Sequence, residues 1–369
     1  MKKENKVESF TLEEKNSQGT CPPYVLTNPV ASIIEGVRCG TQGLAELRIR
    51  SVVICLDSRL RDKDIAAAIA FRHFLEENGV PAIIHADPDE VGYRTRIRDA
   101  EKEVTLSLPE DDFSYYAVLI GVSKNEYLED RTIDRTYMSF SFCGDSDAVP
   151  NVAALSKVDR DTCSTVSVLY PCIKEACSVM GYTLSRRVIT EFYAAIQYSL
   201  VFSRRISIKK VFDVYGELLA DGADYVKVEE EMNSLPKMSL SFVKLLVEKL
   251  EFRDGIATAR ISHSDLAPFS SLSEKKQHAI YRAAVQTFRY LEDVDAWCIF
   301  IEEVENQYYT VLQSKNSLPF NMENIAKRNN GFGTKTDAVC LIYGFDLDKV
   351  FKNLRDHVRS KKQKSEEAE

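Results

Sequence analysis

The stretch from Ser51 to Gly79 constrains the fold more than any other part of this chain. Val52–Leu56 is a short apolar run rich in β-branched residues, and it ends at Asp57. Those features mark a buried strand. After a polar turn, Ile65–Asn78 is Ala-rich and long enough for a helix, with Gly79 placed to end it. A strand followed by a returning helix is the first half of a βαβ unit. The turn between them, Asp57 to Asp64, lies at the carboxyl end of the strand, the edge at which open α/β sheets hold ligands.

The same alternation continues downstream. Val80–His85, Tyr116–Ile120 and Met138–Phe142 read as further strands, and Ser164–Gly181 and Ser185–Val201 as helices, with another helix over Ile208–Gly222. Strands alternating with helices predict a doubly wound, mostly parallel sheet. A second α/β region follows: a strand over Phe252–Ile261, a helix over Glu274–Glu292, and a hairpin of Ala296–Glu303 with Tyr308–Ser314. After it come a helix at Met322–Asn329, a glycine loop at Gly331–Gly333, a strand at Ala338–Tyr343 and a final helix at Leu347–Arg359. The expected organisation is a polar, poorly ordered start over 1–20, an α/β domain over 21–225, a linker over 226–245, a smaller α/β domain over 246–359 and a charged tail over 360–369.

Composition narrows the function. The 369 residues carry a formal net charge of −8, which argues against broad nonspecific nucleic-acid binding and leaves room for a local basic groove. No apolar run approaches the ~20 residues that span a bilayer. Met1-Lys2-Lys3-Glu4-Asn5-Lys6 has no apolar core behind it, so a signal peptide is not expected and a cytoplasmic location is. The nine cysteines form no C-x-x-C pair, and Cys172 and Cys177 are five apart, which argues against a cysteine zinc site and for reduced thiols.

Four segments carry a family resemblance in their order and spacing. The first is Ser58-Arg59-Leu60-Arg61-Asp62-Lys63-Asp64-Ile65-Ala66, which resembles the His-x-x-Pro-Asp-x-Asp-Ala motif of the DHH phosphoesterases, with Ser58 in place of the histidine. The second follows the strand Tyr116–Ile120, where Gly121 stands at the family's aspartate position. The third follows Met138–Phe142, where Cys143-Gly144-Asp145 stand at Asp-His-His; Cys163-Ser164-Thr165-Val166 sets that register. The fourth is Ala195-Ile196-Gln197-Tyr198-Ser199, with Ser199 at an aspartate position. The C-terminal region resembles the DHH-associated domain. Tyr309–Ser314 matches its Ser-Leu-Arg-Ser strand with Gln313 for the substrate arginine, and Gly331-Phe332-Gly333-Thr334 matches its Gly-Gly-Gly-His loop.

The resemblance implies a doubly wound domain, a smaller C-terminal domain, and a two-manganese phosphoesterase centre in a cleft between them. Hard carboxylate oxygens with imidazole suit manganese. The ligand residues are depleted at every motif, and none of the five histidines falls at a family ligand position. The expectation is therefore a protein that keeps the fold and acts by binding a nucleotide, a short single strand or a protein partner. Manganese or magnesium would be held weakly, through Asp57, Asp62, Asp64 and Asp145, or not at all. Phosphate contacts are expected from Arg59, Arg61, Gln313, Gly331, Gly333 and Thr334. Other basic clusters are Lys63, Arg94 with Arg96 and Arg98, Arg204 and Arg205 with Lys209 and Lys210, and Lys327 with Arg328. The competing expectation is an active metal-dependent phosphoesterase acting on short oligonucleotides or small nucleotides. It would use a rearranged all-carboxylate site of Asp57, Asp62, Asp64, Asp145 and Asp147.

Overall fold

A computed structural model describes residues 27–41, 49–57, 60–95, 97–108, 114–122, 136–144, 153, 155–202, 209–289, 291–315 and 321–344. The chain divides into two compact units, Met1–Val91 with Ile97–Val228, and Gly92–Arg96 with Glu229–Glu369.

The first unit is built on six parallel strands: β1 (Ile49–Leu56), β2 (Ala82–His85), β3 (Val104–Thr105), β4 (Ser114–Ile120), β5 (Thr136–Gly144) and β6 (Leu155–Asp159). Their order is β3-β2-β1-β4-β5-β6, and every pairing is parallel. The order reverses between β1 and β4, the switch point at which such sheets hold ligands. Successive residues Val52, Val53 and Ile54 are all fully buried, so both faces of β1 are covered. That explains its unbroken apolar run. Helix α1 (Pro29–Thr41) comes so near the sheet at Gly36 that any side chain there would overlap the Tyr116 ring.

Helix α2 spans Asp62–Glu77, beginning three residues earlier than periodicity predicts. The amides of Asp64 and Ile65 already bond to the Arg61 carbonyl, and acidic residues are favoured in a first helical turn. Both carboxylates of the D-x-D run are thus helical. The chain then forms α3 (Pro88–Arg94), α4 (Val166–Met180), α5 (Arg186–Phe202), α6 (Lys209–Ala220) and α7 (Tyr225–Asn233). Strand β6 escapes sequence reading because Ser156, Lys157 and Asp159 break its apolar pattern at the sheet edge.

The second unit begins with α8 (Lys237–Lys249), which occupies residues whose polar composition reads as linker. Phe242 and Leu246, one turn apart, are buried in its core. The expected strand over Phe252–Ile261 is instead a hairpin of β7 (Glu251–Arg253) and β8 (Ile256–Ile261). Asp254 and Gly255 take φ of +53° and +77°, the left-handed pair that a tight hairpin turn requires. The sheet continues with β9 (Ala296–Val304), β10 (Gln307–Ser314), β11 (Phe332–Gly333) and β12 (Asp337–Tyr343), in the order β11-β12-β10-β9-β8-β7. Only β8 and β9 pair in parallel. Residues alternate strictly between two cores. Trp297, Ile299, Ile301, Tyr309 and Val311 face α8 and helix α9 (Glu274–Gln286). Cys298, Phe300, Tyr308 and Leu312 face helix α10 (Met322–Lys327). The expected helix Leu347–Arg359 lies outside the described residues. Among those described, no helix is long and apolar enough to cross a membrane.

Trp297, the only tryptophan, is 1% exposed and reports on this second core. Phe242→Ala is expected to lower the urea midpoint read by its fluorescence, at a cost of ~3–5 kcal/mol. A change under ~0.5 kcal/mol would place α8 outside that core.

Candidate functional site at the switch point of the first sheet

The turn after β1 delivers its side chains to the carboxyl edge of the sheet. Asp57 is 1% exposed at the strand end, and Leu60 follows with φ of +45°. Arg61, in extended backbone, precedes the helix without a side-chain cap. Its guanidinium folds back instead. Nε donates to Asp64 Oδ2 at 2.6 Å and Nη2 to the Gly121 carbonyl at 2.9 Å. The second Asp64 oxygen accepts from Thr165 Oγ1 at 2.8 Å. The Asp64 side chain is only 2% exposed and that of Arg61 13%. Lys63 Nζ donates to the Cys163 carbonyl at 2.7 Å and to the Gly144 carbonyl at 3.4 Å.

The four segments read from sequence meet here. Gly121 ends β4 with φ of +69°, and a Cβ added to it would overlap the Asp64 carboxyl. Gly144 ends β5, where an added Cβ would overlap the Ser164 backbone carbonyl. Ser199 donates at 3.0 Å to Ser164 Oγ and at 3.1 Å to the Ala195 carbonyl. Among the described residues, the positions that the family resemblance aligns with metal ligands are thus near one another. Here they hold two backbone glycines, a serine tied to its neighbours, and one carboxylate bonded at both oxygens.

This donor set does not fit a two-manganese centre. Each ion needs several free carboxylate or imidazole ligands, and Asp64 already has both oxygens occupied. Asp57 and Asp62 do not join Asp64 in any group of three ligand atoms within 4.8 Å. A guanidinium cannot supply what a metal does, because it stays protonated and has no open coordination position. Ser58, Arg59, Asp145 and Asp147 lie outside the described residues.

The other expected contacts are scattered. Gly331 donates its amide to the Ala326 carbonyl at 2.8 Å, and Thr334 to the Asp337 carbonyl at 2.6 Å. Gly333 pairs with Ala338 within the sheet. Two of the amides read as a phosphate cradle are therefore committed inside their own loop. Gln313 is 5% exposed on β10, and its Oε1 is without a hydrogen bond. Lys210 pairs with Asp159, and Lys327 with Glu323. Arg98 and Lys209 are exposed, whereas Arg96, Arg204 and Arg205 lie outside the described residues. Cys172 and Cys177 both lie on α4, and burial pushes the Cys177 thiol up to about 11, which makes it a poor nucleophile. Sequence reading misses Thr165, whose only signal is its place in the small-residue run before α4.

No family model matches the chain. A protein of Streptococcus mutans serotype c (strain ATCC 700610 / UA159), described as a probable bifunctional oligoribonuclease and PAP phosphatase NrnA, is 26% identical over 150 residues. That match spans 39% of this chain and 46% of the relative, less than half its length. The crystal structure of an exopolyphosphatase-related protein from Bacteroides fragilis matches with a TM-score of 0.62 at 13% identity, covering 88% of this chain and 96% of that one. RecJ from Thermus thermophilus, solved in complex with Mn2+, gives a TM-score of 0.48 at 8% identity, covering 93% of this chain and 56% of its own. The chain thus shares its fold with the Bacteroides fragilis protein and a partial sequence similarity with the Streptococcus mutans one.

A buried ion pair behaves differently when one partner is lost than when both are. Arg61→Ala leaves the Asp64 carboxylate buried without its cation and is expected to cost ~3–5 kcal/mol. Arg61→Met with Asp64→Leu is expected to recover most of that loss. Urea unfolding of the two variants checks the difference, and equal destabilisation would contradict it.

Proposed function

We propose that this chain is a DHH-fold protein whose switch-point site no longer hydrolyses phosphoesters and which acts by binding. The observation that carries this reading is the state of Asp64. One of its oxygens faces the Arg61 guanidinium and the other the Thr165 hydroxyl. A phosphoesterase of this superfamily would need that carboxylate for metal. Restoring an aspartate at Gly121 would force a side chain onto left-handed backbone and into the Asp64 carboxyl.

The ligand class we propose is a nucleotide or a short single strand, in keeping with the oligoribonuclease and phosphatase named for the partial relative. Any such contact would be local and salt-sensitive, because acids outnumber bases by 56 to 48. A protein partner is the other occupant consistent with a retained fold and a lost reaction. The competing active enzyme needs the carboxylates of the first turn to converge on an ion, and among the described residues Asp57, Asp62 and Asp64 do not.

The test is paired. With manganese, hydrolysis of a short oligoribonucleotide and of 3′-phosphoadenosine 5′-phosphate is expected at background, equal in the native chain and in Asp62→Ala/Asp64→Ala. Fluorescence anisotropy of the labelled oligoribonucleotide is expected to rise saturably and to weaken with salt. Turnover that disappears in the double variant would overturn the loss of chemistry. Absence of both turnover and binding would overturn the nucleotide reading and leave the protein partner.

A further inference from the structure

A second cluster of ligand-type side chains lies in the second unit. Glu274 is in the first turn of α9, and His278 is one turn further along. Residues four apart share a helix face. Glu303 lies near the end of β9. One ligand atom from each of the three lies within 4.8 Å of the other two. The chemistry is mixed, one imidazole nitrogen and two carboxylates.

The imidazole is buried and its ring is fixed by stacking. His278 is 1% exposed, and its ring stacks on Tyr309 at 3.8 Å between centroids and 7° between planes. That packing fixes the ring plane with Nε2 2.5 Å from Glu303 Oε1. Glu274 is exposed, so the cluster opens to solvent on one side.

The ordinary explanation is a hydrogen-bonded His278–Glu303 pair. It accounts for two of the three residues. It does not account for a second carboxylate converging on the same point, which repels the first. No lysine or arginine among the described residues forms an ion pair with Glu274 or Glu303. The positive end of α9 offsets only part of that charge. A divalent cation would offset it fully and replace the proton between His278 and Glu303.

We infer that Glu274, His278 and Glu303 form a divalent transition-metal site that ties the start of α9 to β9. One imidazole with two carboxylates suits zinc, and three protein ligands leave a fourth position open to water. Calcium and magnesium prefer all-oxygen shells and are disfavoured here. The site is independent of the loss of chemistry at Asp64, because it draws on no residue of the first unit.

The experiment uses the full-length chain without a histidine tag, dialysed against chelator and titrated with zinc by calorimetry. One equivalent is expected to bind, with an upward shift of the melting temperature. Glu274→Gln, at an exposed position that leaves packing intact, is expected to weaken binding about tenfold or more. Glu303→Gln is expected to do the same, with circular dichroism confirming that it folds. The cobalt-loaded chain is expected to show d–d absorption that Glu274→Gln diminishes. Absence of saturable zinc binding would overturn the inference. So would native affinity in Glu274→Gln.

Discussion

The Arg61 guanidinium held against the buried Asp64 carboxylate is the interaction around which the switch-point crevice of the first unit is arranged. A parallel sheet of this order directs the ends of β1 and β4 at one crevice. In an active relative of this fold, the crevice would be charged and would take its positive charge from metal. Here the positive charge is covalent. It comes from the residue immediately before α2 and spans from Asp64 to the Gly121 carbonyl at 2.9 Å. A guanidinium has neither Lewis acidity nor an open coordination position. A Cβ at Gly121 would meet the Asp64 carboxyl, and one at Gly144 the Ser164 backbone carbonyl.

The second unit is a six-stranded sheet that presents a strict alternation of buried residues to two cores. Gln313 stands where the family resemblance assigns an arginine to substrate. The glycine loop ends in strand β11, paired to β12, and the amides of Gly331 and Thr334 are bonded within the unit.

The sheet of the first unit is legible in sequence because buried parallel strands read as continuous apolar runs, Val52–Leu56 most clearly. That the segments after β1, β4 and β5 come together at one sheet edge is legible too, since a parallel sheet places the carboxyl ends of its strands side by side. The helical start at Asp62 is less so, because an acidic first turn looks the same as an acidic loop. The role of Arg61 is misread for a physical reason. A basic residue in a loop reads as a solvated phosphate contact, and nothing in sequence reveals that it folds back onto a carboxylate three residues away. Thr165 is hidden by distance, 101 residues from the oxygen it serves. The hairpin turn at Asp254-Gly255 is readable from the dipeptide but is easily passed over within an apolar run. The helix α8 is masked by its polar flank, since its fully buried positions are Ser239, Phe242 and Leu246, one of them polar.

The most direct test of a covalent cation in place of metal is a crystal structure grown in manganese chloride, with diffraction recorded on both sides of the manganese absorption edge. The account predicts no anomalous peak within coordination distance of Asp64, and a guanidinium still bonded to that carboxylate and to the Gly121 carbonyl. An anomalous peak bridging Asp64 and its neighbouring aspartates, with Arg61 swung away, would contradict it.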